Sequence, residues 1–177
     1  IRPSALGDVC RSVPVLASLR RRYPDATIDW LVQDSFAPAI AAHPALTGIV
    51  PFPRREVALG RLWRRDARAR LAELTRGLRK ANYDRVYDFQ GLGRSGLFAW
   101  LTRAPERFGF SDAREFGYLG VNRRISAPAR MHSVDRMLAL VEGSGVTPIR
   151  DMRLYTTEED RAGVDERLRG TRYAVLA

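Results

Sequence analysis

The residues whose types and spacing could do chemistry stand at the start of the chain. Ser4, Gly7 and Asp8 lie in the run Arg2-Pro3-Ser4-Ala5-Leu6-Gly7-Asp8-Val9. A short Ser/Gly loop ends in a carboxylate and leads directly into an amphipathic segment. In open α/β sheets, ligands bind in the crevice outside the carboxyl ends of the strands, where loops of this kind sit. A carboxylate at a helix start is favoured by the positive end of the helix dipole. Beside a crevice it can accept a proton as a general base. The same residues also read as an N-cap, Asp8, preceded by a tight turn at Gly7. Both readings stand on these residues alone.

A second glycine-rich turn, Gly91-x-Gly93-x-x-Gly96, lies between a strand pattern and a helix pattern. Its spacing fits the G-x-G-x-x-G fingerprint, but no acidic residue closes a second strand about 20 residues later, as dinucleotide binding needs. Gln90 and Arg94 flank the turn. It is therefore read as a helix N-terminus with a basic neighbour, suited to an anionic group, and no cofactor is expected. Gln90 has a plainer alternative, satisfying backbone groups at the turn. His43, His132 and Cys10 are far apart in sequence and give no metal-ligand cluster. One cysteine also excludes an internal disulfide framework.

The elements that must position these residues alternate in type. Residues 13–22 form a helix pattern with Pro14 in its first turn. Residues 27–32 read as a strand, 35–42 as a short helix and 48–52 as a second strand. A long helix is expected over 62–81, with Trp63, Ala67, Leu71, Leu74 and Leu78 inward and Arg61, Arg65, Arg68, Arg76 and Arg79 opposite. A strand over 83–90 precedes the Gly91 turn and a helix over 95–102. Residues 107–110 form a strand and 111–130 a polar loop, with strand character near 121–125. A helix over 131–144 turns Met131, Val134, Met137, Leu138 and Val141 inward, and 143–148 is a turn. Residues 156–169 read as a helix capped by Thr156 or Thr157, with Glu158, Glu159 and Asp160 in its first turn. Residues 173–177 read as a buried strand. This alternation predicts an α/β fold, a Rossmann-like doubly wound and mostly parallel sheet.

Composition narrows the partners. The chain has 177 residues, 45% hydrophobic and 28% charged, ordinary values for one globular domain. No apolar run approaches the roughly 20 residues of a membrane span. The net charge is +10, and Lys80 is the single lysine among the basic residues. Between Arg54 and Lys80 ten basic residues face only Glu56, Asp66 and Glu73. Such a cationic segment implies an anionic partner or a solvated arginine surface. A nucleic-acid-binding module is the rival class. The aromatics are not interleaved with the basic face and no RNA or DNA motif is present, so no nucleic-acid partner is expected.

The ordered set Arg2-Pro3-Ser4-Ala5-Leu6-Gly7-Asp8, Ile28-Asp29-Trp30-Leu31-Val32, Asn82-Tyr83-Asp84, Asp88-Phe89-Gln90-Gly91-Leu92 and Ala113-Arg114-Glu115 resembles glycosyltransferase family 9. These are the ADP-heptose:lipopolysaccharide heptosyltransferases, and the wording is nearest their heptosyltransferase I branch. Asn122-Arg123-Arg124 and Met131-His132-Ser133-Val134-Asp135-Arg136 also fit, so the resemblance runs over nearly the whole chain. It implies a GT-B enzyme of two Rossmann-like domains. The N-terminal one receives the Kdo-bearing inner core of lipopolysaccharide, an anionic Kdo-lipid A acceptor, at the cytoplasmic face of the inner membrane. The C-terminal one binds ADP-heptose.

The resemblance further implies Asp8 as the base for an inverting transfer. It makes Ser4, Gly7, Arg54, Arg55, Arg61, Gln90, Arg94 and Arg114 acceptor-binding, with Arg64 and Arg65 continuing the basic lip. An internal ion pair between Arg114 and Glu115 is the alternative for that residue. Residues 1–150 are expected to form the acceptor-binding domain. Residues 151–177 are expected to form a linker helix and the first strand of a donor domain lying beyond this chain. The runner-up is a GT-B transferase with another acceptor.

Overall fold

The structure, a computed structural model, describes residues 1–54 and 63–170. Two parallel ladders form its centre. In one, β1 (Asp29–Gln33) pairs with β2 (Gly48–Phe52), Asp29 opposite Gly48. In the other, β3 (Arg85–Asp88), β4 (Glu106–Phe110) and β5 (Arg123–Ile125) lie in sequence order. The extended residues Ile1 to Pro3 run between the two. The Arg2 N–H donates to the Leu31 carbonyl (3.2 Å) and the Gln33 N–H to that of Pro3 (3.0 Å). On the other side the Phe89 N–H donates to the Ile1 carbonyl at 3.1 Å. Three residues thus join the ladders into one sheet at the C-terminal ends of β1 and β3. Towards the N-terminal ends the strands part around a cavity of about 700 Å³, lined by Ile1, Ile28, Leu31, Tyr83 and Tyr87 among others. The Tyr83 hydroxyl spans this gap to Asp29 at 2.8 Å.

Helices cover both faces, because the strands are apolar on both. Within β1, Trp30 and Val32 pack with Val9, Val13 and Leu16 of α1 (Leu6–Arg11) and α2 (Val13–Arg22), and with Ile40 of α3 (Pro38–Ala41). Leu31, between them, faces the opposite side with Phe52, Leu78 of α4 (Arg65–Lys80) and Phe98 of α5 (Gly93–Leu101). That is the period-2 alternation of a strand. Val15 and Leu19 of α2 meet Met137, Leu140 and Val141 of α6 (Ser133–Gly143) over Tyr87, Phe89 and Phe108. Each such side chain, fully buried, is worth about 1.5–3 kcal/mol.

Several expectations change. The first helix begins at Leu6 and breaks at Ser12, whose Oγ donates to the Asp8 carbonyl (2.6 Å) before Pro14 opens α2. Asp8 therefore stands inside the first turn of its own six-residue helix, and not at the start of α2. The long helix starts at Arg65, and Trp63 is 76% exposed instead of inward. With the helix beginning at Arg65, Trp63 falls outside its apolar stripe. Ala67 and Leu78 are buried, and Arg65, Arg68, Arg76 and Arg79 are exposed as the periodicity requires. Met131 precedes α6 and is partly exposed. Thr157 caps α7 (Glu158–Leu168) through the Asp160 N–H at 3.0 Å, while Asp160 accepts from the Thr157 N–H. The strand expected over 173–177 lies outside the described residues, as does Leu62.

Candidate functional site

Every described candidate residue sits at the C-terminal edge of the parallel strands, where the sheet's loops converge. Ser4, Gly7 and Asp8 follow the extended Ile1–Pro3 segment, and Arg54 follows β2. Gln90 and Arg94 follow β3, and Arg114 follows β4. Arg55 and Arg61 lie outside the described residues.

Asp8 does not cap a helix with its side chain. Its Oδ2 forms an ion pair with the Arg2 Nη2 at 2.8 Å, and Oδ1 has no hydrogen bond among the described residues. The Asp8 side chain is 34% exposed. Arg2 reaches in the other direction as well, its Nη1 donating to the Phe89 carbonyl at 2.5 Å. One guanidinium thus ties the first loop to the loop after β3. The N-cap reading of Asp8 fails, because α1 has no side-chain cap bond.

The second loop is built by Asp88, not by Gln90. The Asp88 carboxylate, 1% exposed, accepts from the N–H groups of Gln90 (2.9 Å) and Gly91 (3.1 Å) and from the Ser95 hydroxyl (2.9 Å). Burial pushes this carboxyl above the usual carboxylate range, against those three hydrogen bonds. Gly91 turns the chain at φ +66°, a conformation that favours glycine. Freed from the turn, Gln90 points its side chain into a cavity of about 130 Å³ shared with Arg2, Met131, Ser133 and Arg136. Three buried polar atoms on this wall, Arg2 Nε, Gln90 Oε1 and Ser133 Oγ, lack partners among the described residues. The Arg136 guanidinium lies 4.1 Å from the Phe110 ring centroid and pairs with Asp112. A small polar group could be held here by hydrogen bonds that the protein does not itself satisfy.

The glycine fingerprint has a packing explanation. A Cβ at Gly96 would stand 2.2 Å from the Gly117 carbonyl oxygen, and one at Gly93 would stand 2.5 Å from that of Glu115. The helix N-terminus is also taken: the Glu115 Oε2 accepts from the Gly93 N–H at 3.2 Å. The expected anion position at α5 is thus filled by the protein's own carboxylate, which the helix dipole favours. Glu115 is accordingly not the ion-pair partner of Arg114. The Arg114 N–H donates to the Gly91 carbonyl at 2.9 Å, which docks the third loop on the second and leaves the guanidinium exposed. Arg94 lies over the ring of Phe52, the last residue of β2, at 5.5 Å. Arg64 pairs with Asp66, and both are exposed.

The structure therefore joins Asp8, Gln90 and Arg114 through Arg2, Asp88 and Glu115, with Arg94 over Phe52 at the end of β2. Arg2, Ser133 and Arg136 escaped the residue-by-residue reading. Their signal was present only as membership of the motifs Arg2-Pro3-Ser4 and Ser133-Val134-Asp135-Arg136.

The sequence profile of "Glycosyltransferase family 9 (heptosyltransferase)" matches residues 71–170. The chain belongs to glycosyltransferase family 9. Lipopolysaccharide heptosyltransferase 1 of Pseudomonas aeruginosa is 35% identical over 103 residues, 58% of this chain and 28% of the relative. Lipopolysaccharide heptosyltransferase 2 of Escherichia coli K12 is 29% identical over 146 residues, covering 82% and 40%. The solved structure "E. coli heptosyltransferase WaaC with ADP-2-deoxy-2-fluoro heptose" superposes with a TM-score of 0.73 at 26% identity. That match covers 85% of this chain and 49% of WaaC. A glycosyl transferase family 9 structure from Veillonella parvula, at 20% identity and a TM-score of 0.72, supports the fold. The chain spans less than half the length of these relatives. Its fold is the Rossmann-like α/β half of a GT-B glycosyltransferase.

Proposed function

We propose that residues 1–150 are the acceptor-binding domain of an inverting heptosyltransferase, with Asp8 as its general base. In this reading 151–177 lead into a donor-binding half that supplies the ADP-heptose contacts. The single observation that carries it is the partly exposed Asp8 carboxylate, held at the C-terminal edge of the sheet by Arg2 through Oδ2. The acceptor hydroxyl oxygen attacks the anomeric carbon of ADP-heptose. The bond from that carbon to the diphosphate breaks, ADP leaves, and the hydroxyl proton passes to Asp8. A positioned base contributes about 10²–10⁴-fold, and positioning of both substrates supplies much of the remainder.

The acceptor is a Kdo-bearing, multiply anionic lipid A core, for which arginine forks are the suited ligands. Arg54, Arg94 and Arg114 are exposed, and Ser4, Gly7 and Gln90 lie in the loops at the same edge of the sheet. The exposed arginine face of α4 suits the anionic cytoplasmic surface of the inner membrane. Among the described residues no helix is long and apolar enough to cross a membrane. Arg55 and Arg61 bind the same acceptor in this reading. The test is heptose transfer by the full-length protein carrying Asp8→Asn. Turnover should fall at least about a hundredfold while ADP-heptose binding stays unchanged. Near-normal turnover would remove Asp8 from the chemistry. Transfer to an unrelated sugar acceptor, with none to the Kdo-bearing core, would replace the acceptor and leave the base in place.

A further inference from the structure

Asp8 stands on a helix of only six residues with its side chain partly exposed. A carboxylate so placed has several staggered rotamers open to it. A reacting base must instead hold one direction, since a misplacement of about 1 Å costs on the order of a hundredfold in rate. Arg2 answers that need. Its side chain is 12% exposed, and its guanidinium is fixed at both ends, by the Phe89 carbonyl at Nη1 and by Asp8 Oδ2 at Nη2.

A guanidinium is planar, so fixing one nitrogen sets the direction of the other. The Phe89 carbonyl is itself held firmly. Phe89 is buried, its N–H donates to Ile1, and it follows Asp88, whose carboxylate closes the Gln90–Gly91 turn. Rigidity thus passes from β3 through Phe89 and Arg2 to Asp8. The bridge also occupies Oδ2 and leaves Oδ1 as the carboxylate oxygen without a bond among the described residues.

We infer that Arg2 is the positioning residue for Asp8, fixing the carboxylate through Oδ2 so that Oδ1 meets the acceptor hydroxyl. The inference rests on the proposed role of Asp8 as base. A plain surface ion pair between the same two groups would contribute a little stability and nothing to turnover. The two roles separate in a double-mutant cycle on heptose transfer by the full-length protein, using Arg2→Gln, Asp8→Asn and the pair together.

Arg2→Gln is expected to lower kcat by about tenfold or more, with acceptor and donor KM within about twofold of the parent. In the Asp8→Asn background the same substitution should change kcat by less than about twofold, because the group it orients is no longer a base. An unchanged kcat in folded Arg2→Gln, an equal loss in both backgrounds, or a loss confined to KM would each overturn the inference. Should Arg2→Gln fail to fold, Arg2→Lys takes its place in the cycle with the same expected outcomes. It keeps the charge and one donor but loses the fork. Full turnover by Asp8→Asn would remove the base and this inference together. Loss of turnover by Asp8→Asn with full turnover by Arg2→Gln removes the positioning role alone.

Discussion

Replacing Gly96 with alanine tests whether the Gly91-x-Gly93-x-x-Gly96 turn is a packing device. The added Cβ would stand 2.2 Å from the Gly117 oxygen, 2.8 Å from its Cα and 2.9 Å from its carbonyl carbon. All three are backbone atoms, so no side chain can rotate aside, and α5 must move off the Gly117–Gly120 turn by about an ångström. The same contact is tight from the other side, where a Cβ on Gly120 would meet the Gly96 oxygen at 1.8 Å. Overpacking costs typically about 1–3 kcal/mol, and the absence of any yielding neighbour puts this site at the upper end. Alanine recovers about 1 kcal/mol of helix propensity over glycine. The net loss is therefore about 2 kcal/mol, a fall in Tm of about 4–8 °C for a chain of this size. Gly77 is the internal control. It lies on the exposed side of α4, with nothing within 4 Å of the place a Cβ would take, so Gly77→Ala should raise Tm by about 2–4 °C. Thermal denaturation followed by circular dichroism reads both. An unchanged Tm for Gly96→Ala, beside a raised one for Gly77→Ala, would refute the packing account and reopen a ligand role for the turn.

Asp88 carries a pH signature whose sign follows from burial. Its folded-state pKa lies above the unfolded value, so the stability it contributes is present below about pH 4 and is lost as pH rises through the folded value. The stability difference between the parent and Asp88→Asn should accordingly shrink as pH rises from about 4 upwards in urea melts, and a difference that grows with pH would contradict the burial argument. Arg54, Arg55 and Arg61 replaced together with Gln should leave Tm within a few degrees, at under about 0.5 kcal/mol each. In the full-length protein the same change should raise the acceptor KM several-fold and weaken its salt dependence; an unchanged KM would return this segment to a solvated surface.

Local signals carried the fold a long way. The period-2 run around Leu31, the stripe of Ala67 and Leu78, and the Thr157–Asp160 cap all depend on residues close in sequence, and each appears where the pattern requires it. The site is different because its decisive contacts are distant. Arg2 meets a carbonyl 87 residues away, and Glu115 reaches a backbone amide 22 residues away. Neither pairing leaves a periodic trace. Asp88, and not Gln90, satisfies the backbone of the turn, for a steric reason. A carboxylate on the buried end of β3 reaches both amides of the turn, while the longer Gln90 side chain projects past them into the cavity behind Arg2. Glu115 and Phe116 adopt φ of 54° and 60°, a costly backbone for such residues that no composition rule anticipates.

The loop after β4 has a consequence for motion at this edge of the sheet. The Arg114 N–H holds the Gly91 carbonyl, and the Glu115 carboxylate holds the Gly93 N–H. Two consecutive residues of one loop thus grip both sides of the turn after β3. The two loops part only by breaking both bonds, so a ligand that displaces Arg114 draws the start of α5 with it.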